Sequence, residues 1–257
     1  MVENDAIDGM DSVGSIETLF DILEHVHQTG GATVSAIAAE LDYAKSTVHR
    51  HLVTLEQRGY VVNDDGYYVG LRFLELGEDA RNRRHGYQLA KEKVEELAGE
   101  TEERVQFLVE EHAEAVYIHR ALGTRAVRTD PGIGKRVPLH ATASGKAMMA
   151  SMPSDKVSRI IEQTQFVAVT DETVTDEEDL RQELGEIRER GYAFNREENL
   201  DGLHAVGVPV RNPDGSVIGG LSVSGPSHRF TGELFEEELP TLLLGAANEL
   251  ELNIAHS

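Results

Sequence analysis

Residues 33 to 69 read TVSAIAAELDYAKSTVHRHLVTLEQRGYVVNDDGYYV, and the order of patterns in this stretch decides the fold. Thr33 stands where a helix cap belongs, ahead of VSAIAAEL, in which Ile37 and Leu41 lie four apart; Asp42 and Tyr43 then turn the chain. In the next segment Val48, Leu52 and Leu55 fall within about 60° of one another at 100° per residue, one core stripe of a helix that Arg58-Gly59 ends. GYVVNDDGYYVGL follows, two β-rich runs around an Asn-Asp-Asp-Gly turn, which is a hairpin. Upstream, Ile16, Leu19, Phe20, Leu23 and Val26 recur at helical spacing after Ser15, a capping residue by type, and Gly30-Gly31 stops that helix. Three helices and a β-hairpin in this order make a winged helix-turn-helix.

On the third helix Ser46, Arg50, Val53 and Gln57 point away from the core stripe, with Lys45 and His49 on one flank. The major groove of DNA admits a helix, and its base edges offer acceptors to arginine and lysine. Lys45 and Thr47 stand near the helix N-terminus, where backbone amides also favour a phosphate. The candidate DNA-contacting set is Lys45, Ser46, Thr47, His49 and Arg50, with Arg50 the first choice for a base edge. A helix with one lysine and one arginine outside is, taken alone, simply solvated; the helix-turn-helix order and the hairpin directly behind it turn the reading toward double-stranded DNA. Asp64 and Asp65 at the hairpin tip oppose close approach to phosphate unless the tip is held clear.

The bulk composition opposes that partner. The 257 residues carry 46 acidic against 24 basic side chains, a formal charge of -22. Residues 1 to 80 hold 15 acidic and 4 basic residues, so the excess is spread along the chain rather than gathered in a tail. Dispersed acid with 5% aromatic content looks like the surface of a halophile's protein, hydrated in concentrated salt, although an ordinary acidic protein has the same totals. The DNA claim therefore rests on local features. The length and 40% hydrophobic content allow two domains with their own cores. Zero cysteines exclude disulfide frameworks and thiolate metal sites and fit a cytoplasmic protein. No run approaches the roughly 18 apolar residues of a membrane span, and MVENDAIDGMD has no signal-peptide pattern, so no membrane partner is expected.

From about Leu71 to Glu100 the pattern is helical again and contains RNRRH at 81 to 85, which reads as a connecting helix. RVQFLVEE and AVYIHRALG are β-rich. A helix follows the capping box Thr175-x-x-Glu178, LHAVGVPVRNPDGSVIGGLSVSG is a strand pair, and a terminal helix runs from about Gly232 to Ile254. Strands and helices mix without a glycine-rich phosphate fingerprint, so the class is α+β. The expected organisation is a disordered acidic segment at 1–11, the winged helix-turn-helix at 12–75, a linker helix at 76–100 and a second domain at 101–257.

For the second domain two readings compete, a small-molecule sensor and an enzyme that uses its helix-turn-helix for protein contacts. TASGK (142–146) resembles the end of a P-loop, but His140 occupies the first glycine position and Ala147 the Ser/Thr position, so phosphate cradle and Mg²⁺ ligand are both missing. GLSVSG has Ser224 where a nucleophile elbow needs glycine. His112, His119, His140, His204 and His228 lack the spacing of a metal motif, and no metal or cofactor is expected. A sensor has a basis in the same segments. A helix starting at Thr142 or Ala143 directs the free amides of Ala143 and Ser144 at a carboxylate, and Ser222 and Ser224 alternate to one side of a strand.

TVSAIAAELDYAKSTVHRHLVTLEQRGYVV, LHATASGKAMMA and EENLDGLHAVGVPV…GSVIGGLSVSGP together resemble the IclR family of transcriptional regulators, over nearly the whole chain after about residue 12. The resemblance implies an N-terminal winged helix-turn-helix, a linker helix and a C-terminal effector-binding domain of GAF-like or profilin-like topology. It implies a homodimer or homotetramer that binds palindromic operators as a repressor or activator under the control of a small-molecule effector, an organic acid or sugar derivative. It places the effector among Ala143, Ser144, Asn195, Ala205, Ser222 and Ser224. Asn195 stands where some members have an acid, and Ala205 where they have a more polar or sulfur-bearing residue.

Overall fold

In the first unit, which ends at Ala80, α1 (Gly14–Gln28), α2 (Val34–Glu40) and α3 (Lys45–Gln57) meet around Ile22, Val26, Ile37, Val48, Leu52 and Leu55. The computed structural model describes residues 12–127 and 132–256; the segment 1–11 expected to be disordered lies outside them. A 13-residue helix such as α3 is marginal alone in water. Burial of its three core side chains, each contributing about 1.5–3 kcal/mol, holds it in one orientation. Thr33 caps α2 as expected, accepting from the Ala36 amide at 3.3 Å. Ser15 does not cap α1: the helix starts at Gly14 after Val13, without a side-chain cap. The expected α1 stripe also divides, since Val26 is buried while Ile16 and Phe20 stay about half exposed, and Ile22, outside that stripe, is buried as well.

The hairpin forms from β1 (Val61–Asn63) and β2 (Tyr67–Val69), antiparallel with Asn63 opposite Tyr67. Asp65 takes a positive φ of 52° at its turn, a conformation that Asn and Asp tolerate best after glycine. Ala32 bridges to Tyr67, so the wing is tied to the loop between α1 and α2.

The stretch expected as one connecting helix is two. Helix α4 (Arg72–Asn82) buries none of its residues, and the chain is extended at Arg84 before α5 (His85–Thr101) begins. Helix α5 buries Tyr87, Ala90, Val94, Leu97 and Ala98, the spacing of one helix face, and belongs to the second unit.

That unit is built on a six-stranded antiparallel sheet in the order β5-β4-β3-β8-β7-β6. The strands are β3 (Arg104–Glu111), β4 (Glu114–Leu122), β5 (Arg136–Pro138), β6 (Ala193–Arg196), β7 (Leu203–Arg211) and β8 (Val217–Pro226). The helices between β5 and β6 are α6 (Ala143–Ser151), α7 (Ser154–Gln163) and α8 (Glu177–Arg190), and α9 (Leu239–His256) closes the chain after a π-helical turn at Leu234–Glu238. Alternation along the strands separates the two faces. Val105, Phe107, Val206, Val208, Leu221 and Val223 enter the core shared with α5 and α9. Their neighbours face α6 on the other side, beneath a second core formed with α7 and α8. This is the α+β arrangement expected of the effector domain. The box Thr175-x-x-Glu178 does not cap α8; Asp176 does, accepting from the amides of Glu178 and Asp179.

Helix α6 reaches the sheet only because two strand positions lack side chains. A Cβ at Gly207 would lie 2.4 Å from the Ser144 nitrogen, and one at Gly220 2.7 Å from the Ser144 oxygen. Gly207→Ala is therefore expected to destabilise the second unit by about 1–3 kcal/mol, the usual cost of overpacking. Denaturant unfolding that matches the wild type would refute this close seating.

Candidate nucleic-acid interface and ligand site

The five residues picked for DNA all lie on α3. Lys45, Ser46, His49 and Arg50 are exposed, and Thr47 is half-buried. The turn ahead of them is held by Tyr43, whose hydroxyl donates to Asp21 at 2.6 Å. That hydrogen bond keeps the phenol proton on and raises its pKa. Behind them, Val48, Leu52 and Leu55 are inserted in the core. A polar face on a helix fixed from both sides is suited to a rigid groove contact. At the base of the wing Arg72 donates to the Arg58 carbonyl at 3.0 Å and covers the Tyr60 ring at 5.2 Å, so its charge is drawn inward.

In the second unit Ala143, Ser144, Asn195, Ala205, Ser222 and Ser224 all line a single cavity. Thr142 caps α6, accepting from the Gly145 amide at 3.1 Å, and its carbonyl takes the Lys146 amide. Of the first-turn donors this leaves the amides of Ala143 and Ser144 for a ligand. Register explains the rest. Asn195 pairs with Ala205, Ala205 with Ser224 and Ser224 with Arg104, one row across four strands on the α6 side. The next row on that side is Gly207, Ser222 and Gln106.

Arg104, Gln106 and Tyr117 also line the cavity and were missed from the sequence. The alternation in RVQFLVEE, polar at 104 and 106 and apolar at 105 and 107, is the same signal that selected the two serines. Arg104 is almost fully buried and donates through Nε to Ser224 Oγ at 2.9 Å. Burial lowers its pKa, although a guanidinium still keeps its charge at neutral pH. Burial raises the pKa of the Tyr117 phenol. The site is thus cationic, with amide, hydroxyl and carboxamide groups around it, a set that fits an anion with further polar groups. The free volume is about 20 Å³, the room of roughly one water molecule. A larger hollow of about 560 Å³ beside the Arg229–Glu103 ion pair contains none of these residues.

Asn195 is already engaged: its Nδ2 donates to the Ala141 carbonyl at 2.7 Å and its Oδ1 accepts from the Glu198 amide at 3.2 Å. It holds the approach to α6 and the loop after β6 together. Lys146, the lysine of TASGK, is wholly buried between Glu183 at 2.6 Å and Glu198. Burial raises the pKa of the Glu198 carboxyl, and the Lys146 ammonium pulls it back. His140, packed on Phe166, is pushed below the usual imidazole range by burial and by Lys146. Among the described residues no cluster of three or more His, Asp or Glu side chains could hold a metal ion, and no helix is long and apolar enough to cross a membrane.

Two family models match the chain. The IclR helix-turn-helix domain covers residues 15–65 and the bacterial transcriptional regulator IclR C-terminal domain residues 81–252. The chain is similar to the probable HTH-type transcriptional regulator ArcR of Halobacterium salinarum, 29% identical over 247 residues that make up 94% of each chain. It is similar to the HTH-type transcriptional regulator KdgR of Escherichia coli, 33% identical over 235 residues, 90% of this chain and 89% of that one. Among solved structures, IclR of Thermotoga maritima matches with a TM-score of 0.79 at 29% identity, over 94% of this chain and 98% of that one.

Lys146→Met leaves Glu198 buried without its cation, a change that costs about 3–5 kcal/mol when the remaining group stays charged. A carboxyl with a raised folded-state pKa binds more protons folded than unfolded, so stability falls as pH rises above the unfolded carboxylate range. The variant's deficit should therefore be larger at pH 8 than at pH 5. Equal deficits in denaturant melts at the two pH values would contradict the coupling.

Proposed function

Since the chain belongs to the IclR family of transcriptional regulators, we propose that it binds palindromic operators through α3 as a homodimer or dimer of dimers and that a small organic acid or sugar-derived acid controls the binding. The protein is a DNA-binding transcriptional regulator with a C-terminal effector-binding domain. The observation that carries the proposal is the outward face of α3, exposed at Lys45, Ser46, His49 and Arg50 and fixed by three buried side chains beneath. In this reading Arg50 takes a base edge, Lys45 and Thr47 take phosphate near the helix N-terminus, and Ser46 and His49 read adjacent positions.

The dimer has support in the first unit. Ile16 and Phe20 on α1 and Leu74 on α4 are half or more exposed, as is Leu71 just before α4. Large apolar side chains left exposed on otherwise acidic helices fit a second copy of the chain. Two recognition helices then fall on half-sites about 34 Å apart or a multiple of that. The second unit acts as a sensor rather than an enzyme, with Ala143, Ser144, Asn195, Ala205, Ser222 and Ser224 around the effector. A ligand entering so small a space favours a widened arrangement over the closed one, and that difference in affinity is what lets it shift operator binding. The acidic body fits work in concentrated salt. There counterion release weakens, and base contacts carry more of the affinity.

Footprinting of the upstream region of its own gene at high KCl is the direct test: a protected palindrome supports the regulator, and an unprotected region together with turnover of small acids would favour an enzyme. Arg50→Ala should weaken operator binding by about 1–3 kcal/mol; an unchanged mobility-shift midpoint at matched salt removes Arg50 from the reading set. Leu74→Glu should shift the protein toward monomer in light scattering and weaken operator binding with it, whereas an unaltered mass places the dimer contact elsewhere.

A further inference from the structure

We infer that the effector is a hydroxy acid and that Gln106 reads its hydroxyl. The inference rests on the proposal that this cavity takes a carboxylate effector, and it adds a specificity residue and a chemical class.

Gln106 faces the cavity from β3, opposite Ser222 on β8. It is almost fully buried. Its Nε2 donates to Ser224 Oγ at 2.9 Å, while its Oε1, fully enclosed, meets no donor. Buried acceptors ordinarily have a partner, so this one marks a place where a donor belongs. Ser224 Oγ also receives the Nε–H of Arg104 at 2.9 Å. Two incoming N–H groups occupy both lone pairs of the serine oxygen and leave its own hydrogen to donate elsewhere. Two neighbouring side chains therefore present one open acceptor and one spare donor. A hydroxyl both donates and accepts, and it satisfies the two together.

A carboxylate or ketone oxygen cannot do this, because it places lone pairs against Gln106 Oε1. Those acceptor-only groups belong instead at the amides of Ala143 and Ser144 and at the Arg104 guanidinium. The amides sit above Gly207, and Gln106 lies two strands away in the same row. Two strand spacings are about 10 Å between backbones, and the glutamine side chain spans part of that gap. A short chain with a carboxylate at one end and a hydroxyl along it fits the remainder. Simple fatty acids supply only one half of the pattern.

Calorimetric titration of the full-length protein at high KCl with lactate, glycerate and gluconate, and with pyruvate, propionate and hexanoate, tests the inference. At least one hydroxy acid should bind at least about tenfold more tightly than every acid lacking a hydroxyl, the scale of one buried hydrogen bond gained or orphaned. Gln106→Leu, close in size, should bring the two groups within about twofold by weakening the hydroxy acids alone. The comparison on the wild-type chain stands whether or not that variant folds. Equal binding of the two groups by the wild type, or equal weakening of both by Gln106→Leu, overturns the role of Gln106 and leaves the carboxylate site in place. Binding of none of the six removes the carboxylate reading of the cavity and this inference with it.

Discussion

Helix α6 lies backbone against backbone on β7 and β8, and the second unit is organised around that approach. Gly207 and Gly220 make it possible, since any side chain there would occupy the space of Ser144. With the helix so close, its first amides stand directly over the polar row of the sheet, and the side chain one turn further in, Lys146, has no route to water. The ammonium is then held by Glu183 of α8 and by Glu198 in the loop after β6. That loop is secured in turn by Asn195 and by Thr173, whose hydroxyl donates to the Glu198 carbonyl at 2.6 Å. Two glycines thus determine where the ligand-facing amides point and why the core beneath them contains an ion network.

Charge is distributed to match these tasks. The first 80 residues contain four basic side chains. Lys45 and Arg50 stand outward on α3, while Arg72 is turned onto Arg58 and Tyr60 at the wing. A body of this charge repels DNA at long range, and the outer face of α3 is a local exception to it, an arrangement that disfavours non-specific sites. In the second unit some of the acidic excess is placed inside, where Glu198 and Glu183 compensate the buried lysine. Such a pair adds little net stability compared with apolar packing, and its value lies in fixing one arrangement of α6, α8 and the β6 loop.

Legibility in the sequence followed the length over which a physical signal repeats. The winged helix-turn-helix was readable because apolar spacing in α3, the Gly59 stop and the Asn-Asp-Asp-Gly turn act locally. Ser222 and Ser224 were readable from alternation, and Arg104 and Gln106 obeyed the same rule in a strand read only as β-rich. The cap of α8 was read one residue early, at Thr175 instead of Asp176, because neighbouring residues of similar chemistry compete for the role, and that of α1 two residues late, at Ser15, because the helix begins after Val13 with no side-chain cap at all. The break between α4 and α5 falls at Arg83 and Arg84, and the nearest glycine, Gly86, already lies inside α5. Lys146 was seen only as the remnant of a phosphate motif. Its partners lie 37 and 52 residues away, and no local pattern connects them.

The position of Arg104 sets one wall of the cavity directly after the end of α5. It is the first residue of β3, two positions beyond Glu102, where α5 ends in a left-handed turn. Helix α5 begins at His85, a few residues after the division between the units. Its 17 residues span about 25 Å as a rigid rod, seated on the sheet by Tyr87, Ala90, Val94 and Leu97. Arg104 thus forms one wall of the cavity from the strand residue next to the end of that rod, held there by its hydrogen bond to Ser224. A helix packed along one whole face fixes the start of that strand in a way a flexible linker would not.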